Sequence, residues 1–173
     1  MATTLHLADI PAPPNDLTRR ADVAFRAYQP GDAEAFRTLN EAWIRKYFGI
    51  EDHDNDMLLN PEGYVLAQGG QIYFAVVDGV TVGCCALLAM EPGVYEVAKM
   101  AVAENWQNAG IGRKLLGYTI EQGRLLGATS LYLETNSKLT NAIHLYEALG
   151  FRHLPPRPTP YVRANVFMEL RFE

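Results

Sequence analysis

The sequence predicts a mixed α/β domain, of the α+β kind, in which strands and helices share one core. Three observations carry this. Two apolar segments, residues 71–77 and 80–90, flank Asp78-Gly79, a dipeptide that suits the φ > 0 turn of a tight hairpin. Three other segments, beginning near residues 33, 111 and 140, repeat their apolar residues at helical spacing. The C-terminal stretch 161–172 instead alternates along its whole length, as a half-buried strand does.

The elements follow in order. "VAFRAY" (23–28) alternates like a strand and stops at Pro30-Gly31. Asp32 then caps a helix whose stripe is Phe36, Leu39, Trp43 and Tyr47. A second, shorter helix is expected around 54–60. After the 71–90 hairpin, "GVYEVAKMAVA" (93–103) reads as a further strand. Ile111, Leu115, Leu116, Ile120 and the leucine pair at 125–126 mark an amphipathic helix closed by Gly127. "SLYLE" (130–134) reads as a buried strand. Ala142, Leu145, Tyr146 and Leu149 form a last helix, stopped by Gly150. In the final strand Val162, Ala164, Val166, Met168 and Leu170 take the core side, after the stiff loop "PPRPTP" (155–160). Pro11, Pro13 and Pro14 make residues 1–22 an extended, mobile tail, leaving 23–173 as one domain.

Composition narrows the function. The chain has 173 residues, 49% hydrophobic and 20% charged, values of a folded globular protein with a full core. No apolar run approaches the roughly 20 residues of a spanning helix, so no membrane partner is expected. A formal net charge of −5 argues against nucleic acid, whose phosphates need a basic face. The N-terminus lacks the basic and apolar regions of a secretory signal. Cys84 and Cys85 are adjacent, point to opposite faces of a strand and read as free thiols, placing the protein in a reducing cytoplasm. They read as small apolar strand residues rather than a nucleophile. His144 and His153 are isolated surface residues, and no metal is expected.

The segment "ENWQNAGIGRKL" (104–115) holds the chemistry. Gly110 and Gly112 leave backbone N–H groups uncovered, and Arg113 and Lys114 follow at once, so the loop suits an anion. A nucleotide-triphosphate loop would need Gly-Lys followed by Ser or Thr, and Lys114 instead precedes Leu115. A dinucleotide fingerprint would find its ribose acid in Glu134, but Leu115 stands where the third glycine belongs. The strand before the loop also ends several residues too early.

Gln107, Gly110 and Gly112 match the Gln/Arg-x-x-Gly-x-Gly/Ala pyrophosphate loop of the GNAT superfamily of acyl-CoA-dependent N-acyltransferases, which this sequence resembles from about residue 23 to 172. "ETNSKLTNAIHLYEALGF" (134–151) is similar to that family's second signature, with Asn141, Tyr146 and Gly150-Phe151 in place. The resemblance implies a central, mostly antiparallel sheet splayed into a V and flanked by helices. It implies acetyl-CoA as co-substrate, without a metal, its diphosphate held by amides of Asn108, Ala109, Gly110, Ile111 and Gly112 at a helix N-terminus. Many relatives carry a basic residue and another glycine where this chain has Asn108 and Ala109, which leaves Arg113 and Lys114 as the cations. Asn136 and Asn141 are implied cofactor contacts.

In this family an amine attacks the thioester directly. Tyr146 matches the acid that protonates the thiolate, with core packing as its competing role. Glu96 is the implied base, and Glu134 the alternative, directly or through a water. Backbone near Met100, Ala101 and Val102 would meet the pantetheine arm and the oxyanion. The acceptor would lie against Trp43, Tyr47, Phe48, Tyr161 and Arg163, with Arg163 receiving a substrate carboxylate or simply solvated. The expected reaction acetylates a primary amine of a small molecule. A protein N-terminus or lysine, or a non-catalytic acyl-CoA-binding module, is the alternative. A homodimer is left open.

Overall fold

A computed structural model describes residues 22–173. The tail expected over 1–22 therefore lies, except for Asp22, outside the described residues. The chain runs β1 (Ala24–Ala27), α1 (Ala33–Tyr47), α2 (Asp52–Leu59), β2 (Gln71–Val77), β3 (Val80–Ala89), β4 (Val94–Val102), α3 (Ile111–Leu125), β5 (Ser130–Thr135), α4 (Thr140–Ala148), β6 (Arg152–Leu154) and β7 (Val166–Arg171). The strands form one sheet in the order β1-β2-β3-β4-β5-β7-β6. Asp78 and Gly79 turn the β2–β3 hairpin at φ 48° and 78°, the left-handed pair that matches strand twist.

Among the described strands only β4 and β5 run parallel. They pair over just Val94–Ser130, Tyr95–Leu131 and Glu96–Tyr132, although β4 continues to Val102 and β5 to Thr135. Beyond Glu96 the two strands part, so the mixed sheet is splayed as the resemblance implied. The backbone groups on the facing edges of β4 and β5 lose their ladder there, which opens space inside the sheet itself.

Helices cover both faces. Cys84 and Cys85 both sit in β3 and are fully buried, yet the Cys84 thiol accepts from Asn40 of α1 while Cys85 bonds Thr119 of α3. Because neighbouring strand residues point to opposite faces, α1 and α3 lie on opposite sides of the sheet. Burial pushes the Cys85 thiol up to about 12, and Cys84 higher still, so both stay protonated. Between Cys84 and Ala86 the register shifts: Ala101 faces Cys84 and Ala98 faces Ala86, so Lys99 and Met100 together oppose Cys85. This is a β-bulge. Lys99 occupies it at φ 52°, and the Cys84 S–H donates to its carbonyl.

Four details differ from the sequence reading. Asp32 stands at the N-cap of α1, but its carboxylate takes Arg26 and the Gln29 N–H instead of capping the helix. Leu125 is 71% exposed, because the buried stripe of α3 runs Ile111, Leu115, Thr119, Gly123 and leaves Leu125 about 200° round the helix from Gly123. A single π-helical turn, Glu62–Leu66, and the short β6 had no signal in the periodicity. The last strand begins at Val166, not 161, and Val162 is 95% exposed. The donors of 161–165 are captured by other partners: Val162 N–H by the Glu51 carboxylate, Asn165 N–H by the Thr135 carbonyl. Among the described residues no helix is long and apolar enough to cross a membrane.

Candidate active site

The opening between β4 and β5 is a cavity of about 260 Å³. One wall is β4 from Glu96 to Val102, the other is Glu134, Thr135 and Asn136 at the end of β5. Trp43, Ile44 and Phe48 close it from α1, Tyr146 from α4, and Tyr161 and Arg163 from the turn before β7. Glu96, Glu134, Tyr146, Met100, Ala101, Val102, Gln107, Asn136, Trp43, Phe48, Tyr161 and Arg163 are thus brought to one place, as the sequence reading grouped them. Tyr47 is not among them; it is 42% exposed and packs at a tilt against Trp43, ring centroids 5.2 Å apart. Asn141 is exposed and lies outside the cavity lining.

The glycine loop leads into α3. Gly110 holds φ 80° as the N-cap, and the first helical bond is Lys114 N–H to the Gly110 carbonyl at 3.2 Å. The amides from Asn108 to Arg113, which include Ala109, Ile111 and Gly112, precede it and have no helical acceptor. An ideal Cβ at Gly110 meets no atom within 4 Å, so the backbone there is open to an approaching group. Gln107 anchors the loop by donating to the Val102 carbonyl at 3.0 Å. The unpartnered amides and the helix dipole fit a diphosphate.

The carboxylates differ in environment. Glu134 accepts from the hydroxyls of Thr159 and Tyr132. Burial, followed by the Glu134 charge, pushes the Glu96 carboxyl up to about 7, against the opposing charges of Lys99 and Arg157. A carboxyl poised near neutrality takes and releases protons at physiological pH. Burial drives the Tyr146 phenol well above its ordinary value, with the neighbouring Cys85 adding to it, so it stands protonated as a donor. Its ring packs edge-on against Phe151 at 6.0 Å.

The sequence reading missed the charge cluster behind these groups. Asp54, fully buried on α2, receives Lys99 Nζ at 2.7 Å and both terminal nitrogens of Arg163 at 2.7 Å. Arg163 also bonds Glu51 at 3.1 Å, and Lys99 donates to the Tyr161 hydroxyl at 2.9 Å. Arg163 therefore does not lie on a strand opposite the core side. Three of its five N–H donors go to the Asp54 and Glu51 carboxylates, so its charge is already paired within the chain. Asn136 braces the same turn through the Arg163 carbonyl at 2.6 Å. The one local sign was a lysine inside the apolar run 97–102.

Burial alone would raise the Asp54 pKa, but the Arg163 bonds and the Lys99 charge hold it at about 2, below its ordinary 3.8. The stabilisation is therefore present above pH 3.8 and is lost as pH falls through 2. Asp54→Asn leaves the buried Lys99 without a carboxylate and Arg163 with Glu51 alone, and is expected to cost about 3–5 kcal/mol, read as a lowered urea midpoint at pH 7. An unchanged midpoint would show that the cluster contributes nothing net.

Comparison with known proteins agrees with this geometry. The acetyltransferase (GNAT) family matches residues 34–151, and the chain belongs to that family. It is 36% identical over 94 residues to the uncharacterized N-acetyltransferase YjgM of Escherichia coli (52% of this chain, 56% of that protein). It is 31% identical over 121 residues to the uncharacterized N-acetyltransferase YvbK of Bacillus subtilis (66% and 78%). With the human N-acetylaspartate synthetase it shares 31% over 137 residues, 75% of this chain and 45% of that protein. The chain thus spans about half the length of the E. coli and human relatives. Its fold superposes on an acetyltransferase of the GNAT family from Staphylococcus aureus Mu50 with a TM-score of 0.77 at 24% identity, covering 88% of this chain and 100% of that one. The Salmonella typhimurium acetyltransferase yncA, solved with acetyl-CoA, gives 0.71 at 20% identity over 87% and 94%.

Proposed function

We propose that this protein transfers the acetyl group of acetyl-CoA to a primary amine of a small molecule by direct attack. The observation that carries the reading is the juxtaposition of Glu96, poised near pH 7, and Tyr146, held protonated, on one cavity in the split between β4 and β5. The amides from Asn108 to Arg113 offer a diphosphate site, and the acetyl-CoA bound by the Salmonella structure supports that co-substrate. The human relative is named for making an acetylated amino acid, which supports a small acceptor.

The proton inventory closes. Glu96 takes a proton from the attacking nitrogen, with Glu134 beside it as the alternative acceptor. A C–N bond forms at the thioester carbonyl while backbone N–H near Met100 to Val102 meets the oxyanion. The C–S bond then breaks and Tyr146 protonates the thiolate. Deprotonated Tyr146 and protonated Glu96 reset through solvent. Two free, buried thiols fit a cytoplasmic setting.

Thiol release from acetyl-CoA across amines, amino acids and peptides, with the acetylated product weighed by mass spectrometry, tests the reading. An N-acetylated small amine is the expected product. Release of thiol without such a product, or turnover confined to peptides, would contradict it.

A further inference from the structure

The cations around the acceptor end are not equivalent. Lys99 and Arg163 are already neutralised by Asp54 and Glu51. Glu134 is bonded by hydroxyls only, so the two carboxylates Glu96 and Glu134 have no cation in hydrogen-bond contact among the described residues. Arg157 is the converse. Its guanidinium lies over the Tyr132 ring, 4.3 Å from the centroid, and among the described residues it bonds no carboxylate.

The setting of Arg157 is built. It sits among Pro155, Pro156, Pro158 and Pro160, which restrict the loop backbone, and Thr159 ties that loop to Glu134. Tyr132, on which the guanidinium stacks, is buried in β5 and donates to the same Glu134. The cation–π contact holds the guanidinium on the ring face and leaves N–H donors for a planar anion. Arg157 is exposed and does not itself line the cavity, but through Tyr132 and Thr159 it stands next to Glu134, which does, and its charge opposes the upward shift of Glu96.

Accepting the proposed amine acetylation, we propose that Arg157 forms a carboxylate subsite and that the acceptor is an amine bearing a carboxylate, an amino acid. The ammonium lies against Glu96 and Glu134, the two carboxylates without a cation; it sheds one proton to solvent to become the nucleophile and gives the second to Glu96 as the C–N bond forms. The carboxylate reaches out to the edge of Arg157, not inward to Arg163. Charge is matched at both ends of the zwitterion, so neither group is desolvated unpaired.

The test compares the full chain with its Arg157→Gln and Arg157→Lys variants by steady-state thiol release. The acceptors are a panel of amino acids, each paired with its decarboxylated amine, and a set of dipeptides. The expected result is that amino acids exceed their decarboxylated partners in kcat/KM. Measured well above pH 7, where Glu96 is ionised with or without Arg157, Arg157→Gln should then raise KM for the amino acid roughly 10- to 100-fold, with kcat within about twofold and no change for the amine, while Arg157→Lys recovers part of the loss. A loop that merely packs on Tyr132 would instead change both acceptors alike. Equal use of amines and amino acids, or an Arg157→Gln effect that ignores the carboxylate, overturns the subsite and leaves amine acetylation standing. Turnover with dipeptides alone, or with nothing, overturns the function on which the subsite rests, and the subsite with it.

Discussion

Replacing Tyr146 with phenylalanine is expected to lower kcat by roughly 10²–10⁴-fold, the usual contribution of a positioned acid. CoA affinity should hardly change, because phenylalanine keeps the ring that meets Phe151 at 6.0 Å and loses only the hydroxyl. Since the phenol titrates far above neutrality, its loss should not move the pH profile between 6 and 9. Thiol release under saturating acetyl-CoA and acceptor measures the effect. Wild-type turnover in the variant would mean that Tyr146 is only packing and that solvent protonates the thiolate.

Glu96→Gln is the second large effect, again about 10²–10⁴-fold in kcat/KM if the carboxylate takes the amine proton. The pH dependence supplies the sign. Glu96 acts only when ionised, and burial with the Glu134 charge has raised it to about 7. Wild-type kcat/KM should therefore fall roughly tenfold per pH unit below about 7, and the variant should lose that limb. The groups that set the midpoint are Glu134, which raises it, and Lys99 and Arg157, which lower it. Arg157→Gln should thus move the limb upward. Turnover in Glu96→Gln close to that of the wild type would hand the base role to Glu134.

Local chemistry was legible where it dominates. Asp78-Gly79 announced its hairpin because only a φ > 0 pair joins twisted strands in two residues. The open backbone at the start of α3 announced itself through Gly110 and Gly112. The splay did not: nothing in the pattern of 93–103 or 130–134 says that two strands part after three pairs, and only the resemblance supplied it. Long-range charge was equally silent. Asp54 meets Lys99 across 45 residues and Arg163 across 109, so no local pattern predicts that this turn is pulled off the strand. Alternation over 161–165 was real in the sequence, yet its donors went elsewhere: Tyr161 N–H to the Thr159 hydroxyl, Val162 N–H to the Glu51 carboxylate and Ala164 N–H to the Tyr161 carbonyl of a turn. Arg157 was passed over as part of a proline-rich loop, since its stacking on Tyr132 exists only in three dimensions.

The central claim is that the split between β4 and β5 seats the thioester between Tyr146 and the two carboxylates. A crystal structure with CoA tests this most directly. The account predicts the diphosphate on the amides between Asn108 and Arg113, the pantetheine arm along Met100 to Val102, and the sulfur within about 3.5 Å of the Tyr146 hydroxyl. CoA bound with its sulfur outside this cavity, or with Tyr146 turned away from it, would contradict the account.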